Sequence, residues 1–549
     1  MRIKMYKIKF LPEDKDCEIK GDDSILETAV KNGIHINASC QGKGICGKCK
    51  IILKEGAVEQ RERALEFLTK EELNKGYYIA CLTYPKDDIE ILIPPESRLS
   101  EHQMVEDIKF EKKEKVKNFA GIAIDIGTTT VAAYLVDLQT GNIVDTASSF
   151  NKQMSYGEDV LSRIEYSKKE SGLEKLNTVV IETINKLIEK LIIRENFENE
   201  ANINRISKIA VSGNTTMTYL LTKRDPHVIQ KNIQIDDFKR SYYLKAKKLG
   251  IRSSRTTDLY ITPGIGSYVG GDIIADIIAC DMHNSDEVCL MIDVGTNGEI
   301  ALGNREWLLV ASTSAGPAFE GPSTKYGMRA TAGAIDNVTI EGDDVRYGVI
   351  NNDKPRGICG SGLIHLISEL FLNEIIDYKG KFIIKNKRIK TGGNGIPEFV
   401  VVFGDETDIG GDIVITEKDI ENVIMTKAAI YAGAATLTKV GVSLDEVRKV
   451  YIAGGFGYHM DIEKSIVLGL LPDLDVDKFE FIGNGSAKGS CLILTNNEKR
   501  KEAEEIAKKA TYFDLSTDAL GEFTEEYMSA MFIPHQDLDR FPSVEMKTR

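Results

Sequence analysis

Apolar and polar residues alternate at the start of the chain. Tyr6, Ile8 and Phe10 are separated by lysines, the period-two pattern of a half-buried strand. A second short strand is expected near Cys17. Ser24 stands before an apolar run with Glu27 three residues on, the capping-box signature of a helix start. The DIEILIP stretch from Asp88 alternates again and reads as a strand. At Gly121–Asp137, GIAIDIGTTTVAAYLVD, apolar residues run up to Asp125. Gly127 and three threonines follow, then a second β-branched and apolar run, so the segment predicts strand, tight turn, strand. Leu173, Leu176, Val180, Ile184, Leu187 and Leu191 keep helical spacing and predict an amphipathic helix. Ile209–Val211 predicts a strand running into the turn SGNTTM. TPGIGSYVGGDIIADIIAC places glycines ahead of a helix carrying Asp272 and Asp276. Lys427–Val440 is an alanine-rich helix whose small residues suggest close helix packing, and a homodimer is one way to use it.

The hairpin pattern returns. Leu290–Gly303 reads LMIDVGTNGEIALG, and aligning IDVGTNG with IDIGTTT puts Asp293 over Asp125, Gly295 over Gly127 and Thr296 over Thr128. Such an echo implies two related lobes, each offering one hairpin to a shared cleft. Glycine at the bend lets backbone approach a ligand, and threonine hydroxyls with nearby N–H groups can hold phosphate oxygens. An acid beside them can hold Mg²⁺ through water, since that ion gives up its waters reluctantly. The expected phosphate loops are Asp125, Gly127, Thr128 and Thr129 in one lobe, and Asp293, Gly295, Thr296 and Asn297 in the other.

Composition narrows the class. The chain has 549 residues, 42% hydrophobic and 28% charged, which is ordinary for a globular protein but too long for one core. Its 70 basic and 84 acidic side chains leave a net charge of −14. That opposes electrostatic binding to nucleic acid or anionic membrane. MRIKMYKIKF lacks the apolar core of a signal peptide, and no stretch is apolar enough to span a bilayer, so a cytoplasmic protein is expected.

In that compartment nine cysteines do not suggest a disulfide framework. Four are grouped. ASCQGKGICGKCK spaces Cys40, Cys46 and Cys49 as C-x5-C-x2-C, and Cys81 follows in YYIACLTYP. A plant-type 2Fe–2S site has C-x4-C-x2-C and a distant fourth cysteine, so the first gap here is one residue longer. Gly42, Gly44 and Gly47 let the loop bend around a cluster. The rival metal is zinc on four cysteines, but a zinc ribbon has two C-x2-C knuckles and Cys81 has no partner knuckle. Buried cysteines without a ligand do not suit the glycine- and lysine-rich setting.

Other candidates lie in loops. ASTSAGPAFEG holds Glu320, a possible water-orienting or metal-linked acid; most lone loop glutamates are simply solvated. GICGSGLI sets Gly360 ahead of an apolar helix. VYIAGGFGYHM is a strand into Gly454, Gly455 and Gly457, and FEFIGNGSAKGS a strand into Gly483 and Gly485; their side-chain-free backbone can admit a purine and its ribose, though turns explain most such glycine clusters. The expected division is a cluster domain at 1–94, a charged flexible linker at 95–118, a first lobe at 119–206 and an ATP-binding region at 207–549. The expected fold is a small α+β cluster domain followed by two related α/β lobes around a nucleotide cleft.

The N-terminal segment resembles the 2Fe–2S ferredoxins, including vertebrate-type members with the longer first gap, and the resemblance implies a β-grasp ferredoxin fold and one-electron transfer. The two hairpins plus AGGFG resemble the superfamily of acetate and sugar kinases, Hsp70 chaperones and actin, with two RNase H-like lobes closing on ATP. YGEDVLSRI, VSGNTTM, IDVGTNGEIAL, SAGPAFEG, GICGSGLI, AGGFG and IGNGS, joined to that N-terminal segment, resemble the reductive activators of corrinoid proteins. The resemblance implies Cys40, Cys46, Cys49 and Cys81 as cluster ligands, phosphate loops at Asp125–Thr129 and Asp293–Asn297, and adenosine at Gly454–Gly457. It also implies ATP-dependent reduction of Co(II) corrinoid to Co(I) on a partner of a methyltransferase system, fed by an upstream low-potential donor. Three rivals remain: a small-molecule kinase with a fused redox domain, an activator of another low-potential enzyme, and a chaperone-like nucleotide switch.

Overall fold

A computed structural model describes residues 4–38, 42–44, 47–68, 70–94, 97–98, 116, 118–195, 203–231, 236–321, 323–383, 386–392, 395–455, 460–517 and 521–544. It divides into two compact units, residues 1–103 with 150–180, and 104–149 with 181–549.

In the first unit, β1 (Met5–Leu11) pairs antiparallel with β2 (Lys15–Lys20), and Ile8 and Phe10 are fully buried, as the alternation predicts. The helix α1 (Ile25–Lys31) starts with the expected capping box: Ser24 Oγ accepts from the Glu27 N–H and Glu27 accepts from the Ser24 N–H. Strands β3 (Lys50–Glu55), β4 (Tyr77–Ile79) and β5 (Ile89–Leu92) complete a sheet of order β2-β1-β5-β3-β4. The β1–β5 pair is parallel and its neighbours antiparallel, the β-grasp arrangement. The same unit includes α2 (Val160–Ser167), capped by Asp159. Just ahead of it, Glu158 accepts a hydrogen bond from the Ala38 N–H at 3.0 Å. The expected linker at 95–118 lies almost wholly outside the described residues.

The second unit holds two six-stranded sheets with matching centres. In the first, β6 (Ala120–Ile126), β7 (Thr130–Asp137), β8 (Ile143–Phe150), β9 (Ile206–Gly213), β10 (Tyr242–Lys245) and β11 (Asp258–Ile261) run in the order β8-β7-β6-β9-β11-β10. In the second, β12 (Cys289–Val294), β13 (Gly298–Gly303), β14 (Leu308–Thr313), β15 (Lys449–Ala453), β16 (Phe479–Gly483) and β17 (Thr511–Tyr512) run β16-β15-β12-β13-β14-β17. The central strand is β6 in one sheet and β12 in the other. Each is antiparallel to the strand that follows it (β7 or β13) and parallel to a later strand on its other side (β9 or β15). This shared topology is the RNase H-like lobe, present twice. Both faces of β6 are covered: Ile122 and Ile124 on one and Ala123 on the other are fully buried, each isoleucine contributing about 1.5–3 kcal/mol by leaving water. The expected boundary at 206 falls at the first residue of β9, inside the first sheet.

The helix α3 (Gly172–Arg194) has the predicted apolar face, with Leu176, Val180, Ile184, Leu187 and Leu191 fully buried. Two helices link the sheets. After the short α4 (Thr215–Leu221) comes α5 (Gly271–Cys280), whose Ile273, Ile274, Ile277 and Ile278 share one core with residues of both sheets. α6 (Gly360–Leu372) and α7 (Glu417–Val440) follow, then α8 (Gly485–Thr495), which lies against α5 and against β6 and β9. The crossing is close because Gly489 lacks a side chain: a β-carbon there would lie 1.9 Å from the Ala275 carbonyl oxygen. The small residues of α7 serve packing inside the chain. A β-carbon on Gly433 would lie 2.6 Å from Thr313 Cγ2, and Ala428 and Ala432 are fully buried. Among the described residues, no helix is long and apolar enough to cross a membrane.

Candidate functional site

The matching topology sets both acidic hairpins at equivalent ends of their central strands. The Gly127 N–H closes the first turn on the Thr130 carbonyl at 2.9 Å, and the Gly295 N–H closes the second on the Asn297 carbonyl at 3.0 Å. The hairpins meet. Thr129 Oγ1 and Thr296 Oγ1 are 3.1 Å apart, and both donate to the Glu320 carboxylate, Thr296 at 2.7 Å and Thr129 at 3.2 Å. Glu320 ends a short turn, Ala318–Glu320, whose loop is tied to the second hairpin by the Gly316 N–H on the Thr296 carbonyl at 3.0 Å. Thr128 accepts from Asn214 Nδ2 at 3.1 Å. Asn297 hydrogen-bonds Glu299, and so faces along its own hairpin.

Asp125 accepts from Ser486 Oγ at 2.8 Å and Asn484 Nδ2 at 3.3 Å. Both donors sit at the N-terminus of α8, where the helix dipole also favours a negative charge. Burial still pushes the Asp125 pKa up against these bonds. Asp272, Asp276 and Asp293 gather around it, and Glu299 stands near Asp293 and Asp272. Burial, then the charge of Asp125, raises Asp272 to about 7. Asp293 is raised by the same two causes in the same order, and Asp276 and Glu299 by burial and then by Asp293. Asp276 is 1% exposed, and among the described residues neither of its carboxylate oxygens has a hydrogen-bond donor. Such crowding of buried acids is costly unless a cation joins them. An all-oxygen donor set of this charge suits a hard divalent cation held largely through its own waters.

The strand-end glycines lie beside this cluster. Gly454 follows β15, its N–H donates to the Gly483 carbonyl at 3.1 Å, and a β-carbon on it would meet Asp293 Oδ1 at 2.8 Å. Gly455 comes next in the turn. Phe456 and Gly457 lie outside the described residues. Gly360 opens α6, which packs on the strand Ala334–Glu341 and on the turn carrying Glu320.

The cysteine site belongs to the first unit. Lys50 of β3 pairs with Ile79 of β4, so Cys49 and Cys81, just beyond the paired ends, come together from 32 residues apart. Both are buried and neither is in a disulfide. The hydrogen bond from Cys49, with backbone bonds at Gly44 and Cys81 itself, pulls the Cys81 pKa down against the effect of burial. Thiolate character and inward N–H groups are what a 2Fe–2S cluster requires of its ligands. Gly44 and Gly47 hold φ of 69° and 68°, and a β-carbon on Gly47 would sit 2.7 Å from Phe67. Cys40 and Cys46 lie outside the described residues.

Some residues of the cleft are not singled out by the sequence pattern. Asn484 and Ser486 stand 359 and 361 positions from the Asp125 they hold. Arg329 donates to Thr130 Oγ1 at 2.9 Å and pairs with Glu320 at 3.7 Å. Asp272 and Asp276 were visible only as acids on a glycine-led helix; that both belong to the acidic cluster comes from the fold.

Three family models match the chain: a 2Fe-2S iron-sulfur cluster binding domain over 9–86, the RACo middle region over 120–285, and the C-terminal, ASKHA domain of RACo over 287–545. A solved structure of a reductive activator for corrinoid, iron-sulfur protein is 35% identical, with a TM-score of 0.71, and covers 98% of this chain and 100% of its own. The corrinoid activation enzyme RamQ of Eubacterium limosum is 29% identical over 94% of this chain and 97% of that protein. A reductase of a Co(II) methylated amine-specific corrinoid protein from Methanosarcina barkeri is 26% identical over 71% and 73%. With a ferredoxin-type domain ahead of paired RNase H-like lobes, and a likeness that runs nearly end to end, the chain belongs to the family of reductive activators of corrinoid proteins.

Proposed function

We propose that this protein restores a corrinoid partner in a methyltransferase or O-demethylase-type system by delivering one electron that takes Co(II) to Co(I), with ATP as the driving ligand. The observation that carries the reading is the pairing, in one chain, of a buried Cys49–Cys81 thiol site with two facing Asp-Gly-Thr hairpins. Cys40, Cys46, Cys49 and Cys81 would hold a 2Fe–2S cluster. When bound, it supplies one-electron transfer, refilled by a low-potential donor.

The chain's own residues do the rest. Thr128, Thr129, Thr296 and the turns at Gly127 and Gly295 hold phosphate oxygens. Asp125 and Asp293, with Asp272 and Asp276 behind them, hold Mg²⁺ through its waters. Gly454, Gly455 and Gly483 leave room for adenosine. For a one-electron step, each 59 mV of shortfall is about a factor of ten in equilibrium. ATP offsets that shortfall only if the two lobes differ in affinity for the corrinoid partner with ATP bound and without it. The α5–α8 crossing is the element that joins the lobes through such a change.

The test is anaerobic visible spectroscopy of a Co(II) corrinoid protein mixed with this protein, a low-potential reductant and ATP. Loss of the Co(II) band and growth of Co(I) absorption only when ATP is present is the expected result. Co(I) formation at the same rate without ATP would sink the scheme.

A further inference from the structure

Glu320 occupies a seat built for an oxyanion. Its two carboxylate oxygens take hydroxyl donors from both hairpins, Oε1 from Thr296 at 2.7 Å and Oε2 from Thr129 at 3.2 Å. The Arg329 guanidinium stands 3.7 Å from Oε2 and donates to Thr130, the next residue of the first hairpin, at 2.9 Å. Two hydroxyls and a guanidinium converging on one anion form the donor set that also fits a phosphoryl group, since arginine matches carboxylate and phosphate alike. The seat joins the lobes: Thr129 and Thr130 belong to the first, while Thr296, Glu320 and Arg329 belong to the second.

We propose that the Glu320 carboxylate is an internal competitor for the terminal phosphoryl group of a nucleoside triphosphate, and that Arg329 transfers from one to the other. The inference rests on the nucleotide reading of the cleft and adds to it a site for one phosphoryl group and two residues that set nucleotide choice. Binding of the triphosphate moves the Glu320 carboxylate off Thr129 and Thr296. The phosphoryl oxygens take both hydroxyls, and Arg329 exchanges one anion for another of higher charge. A diphosphate lacks the group that fills this seat, so it leaves Glu320 in place. Glu320 thus weakens triphosphate binding, and Arg329 favours triphosphate over diphosphate.

The test is titration calorimetry of the full chain with Mg²⁺ and either ATP, a non-hydrolysable ATP analogue, or ADP. For Glu320→Gln, the dissociation constants of ATP and its analogue fall by about tenfold, equivalent to ~1.4 kcal/mol, while that of ADP moves by less than about threefold. For Arg329→Ala, ATP weakens by about tenfold or more and ADP again changes little. Arg329→Lys recovers part of the loss, because it keeps the charge without the planar fork. If Glu320 only props its loop, Glu320→Gln weakens or spares both nucleotides equally, and that overturns the proposal. So does an unchanged ATP-to-ADP ratio in Arg329→Ala. Wild-type protein that binds neither nucleotide removes the nucleotide reading itself, an outcome distinct from binding with no dependence on Glu320 and Arg329.

Discussion

Asp272 loses solvent and faces the charge of Asp125, and together these raise its pKa to about 7. An unfolded aspartate titrates near 3.9, so between roughly pH 4 and pH 7 the folded chain holds a proton that the unfolded chain has released. The stability this gives is complete below the unfolded value and is lost as pH rises through the folded one. With chelator present, the melting temperature of the second unit should therefore fall as pH is raised across that window. Asp272→Asn should flatten the fall, and Mg²⁺ at pH 8 should offset it. Differential scanning calorimetry over a pH series reads all three, and a melting temperature that climbs toward pH 7 in chelator would contradict the crowded cluster. Lys427 poses the opposite problem. It is fully buried on α7, and burial holds its pKa well below that of a free amine. Its Nζ donates to the Phe532 carbonyl at 2.5 Å and the Pro534 carbonyl at 2.7 Å. Lys427→Ala leaves both acceptors unpaired and opens a cavity, and should cost about 2–4 kcal/mol by thermal or denaturant unfolding.

At the scale of elements, the α5–α8 crossing packs in a core that draws on both sheets. Gly489 lies against the Ala275 carbonyl, and a β-carbon on Gly485 would lie 2.3 Å from Asp276 Oδ1. The backbone at Ala275 cannot yield as a flexible side chain does. Gly489→Val should destabilise by at least about 1–3 kcal/mol through overpacking. It should also weaken nucleotide binding, because α8 carries Asn484 and Ser486 to Asp125; unfolding and nucleotide titration of one preparation check both. The hairpins, α3 and the helix start at Ser24 were legible because each is written locally, as a turn flanked by apolar runs, a helical period or a cap. The internal echo also carried the architecture: two like hairpins require two like sheets. The partners of those hairpins were not legible. Asn484, Ser486 and Arg329 reach the cleft from distant segments, and contacts at such separation leave no period in the sequence. The small residues of α7 suggested a surface for another chain, whereas Gly433 and its neighbours are used against β13 and β14. A cluster of Asp281, His283 and Glu502 could pass for a metal site, but the Lys499 ammonium lies 2.7 Å from Glu502 and 3.5 Å from Asp281 and already supplies the positive charge.

For the molecule as a whole, the proposed activity requires two chemistries with separate supports. The thiol site rests on a core of its own, built from Ile8, Phe10, Ile51 and Ile91, while the cleft rests on cores drawn from the two larger sheets. Damage to one site should therefore spare the other. Cys81→Ser removes a ligand but little volume, so the β-grasp core remains. The purified variant should lose the visible absorption of a 2Fe–2S centre and all corrinoid reduction, yet bind ATP as the wild type does. Asp293→Asn removes one negative charge from the acidic cluster. It should keep the visible spectrum, lose Mg²⁺-dependent nucleotide binding by tenfold or more, and abolish the ATP dependence of Co(I) formation. Its melting temperature without Mg²⁺ should rise, since the charge that crowds Asp276 and Glu299 is gone. That pairing of weaker binding with higher stability separates loss of a cation contact from simple misfolding. An Asp293→Asn protein that melts lower and still activates with wild-type ATP dependence would show that the acidic cluster serves the fold rather than the nucleotide.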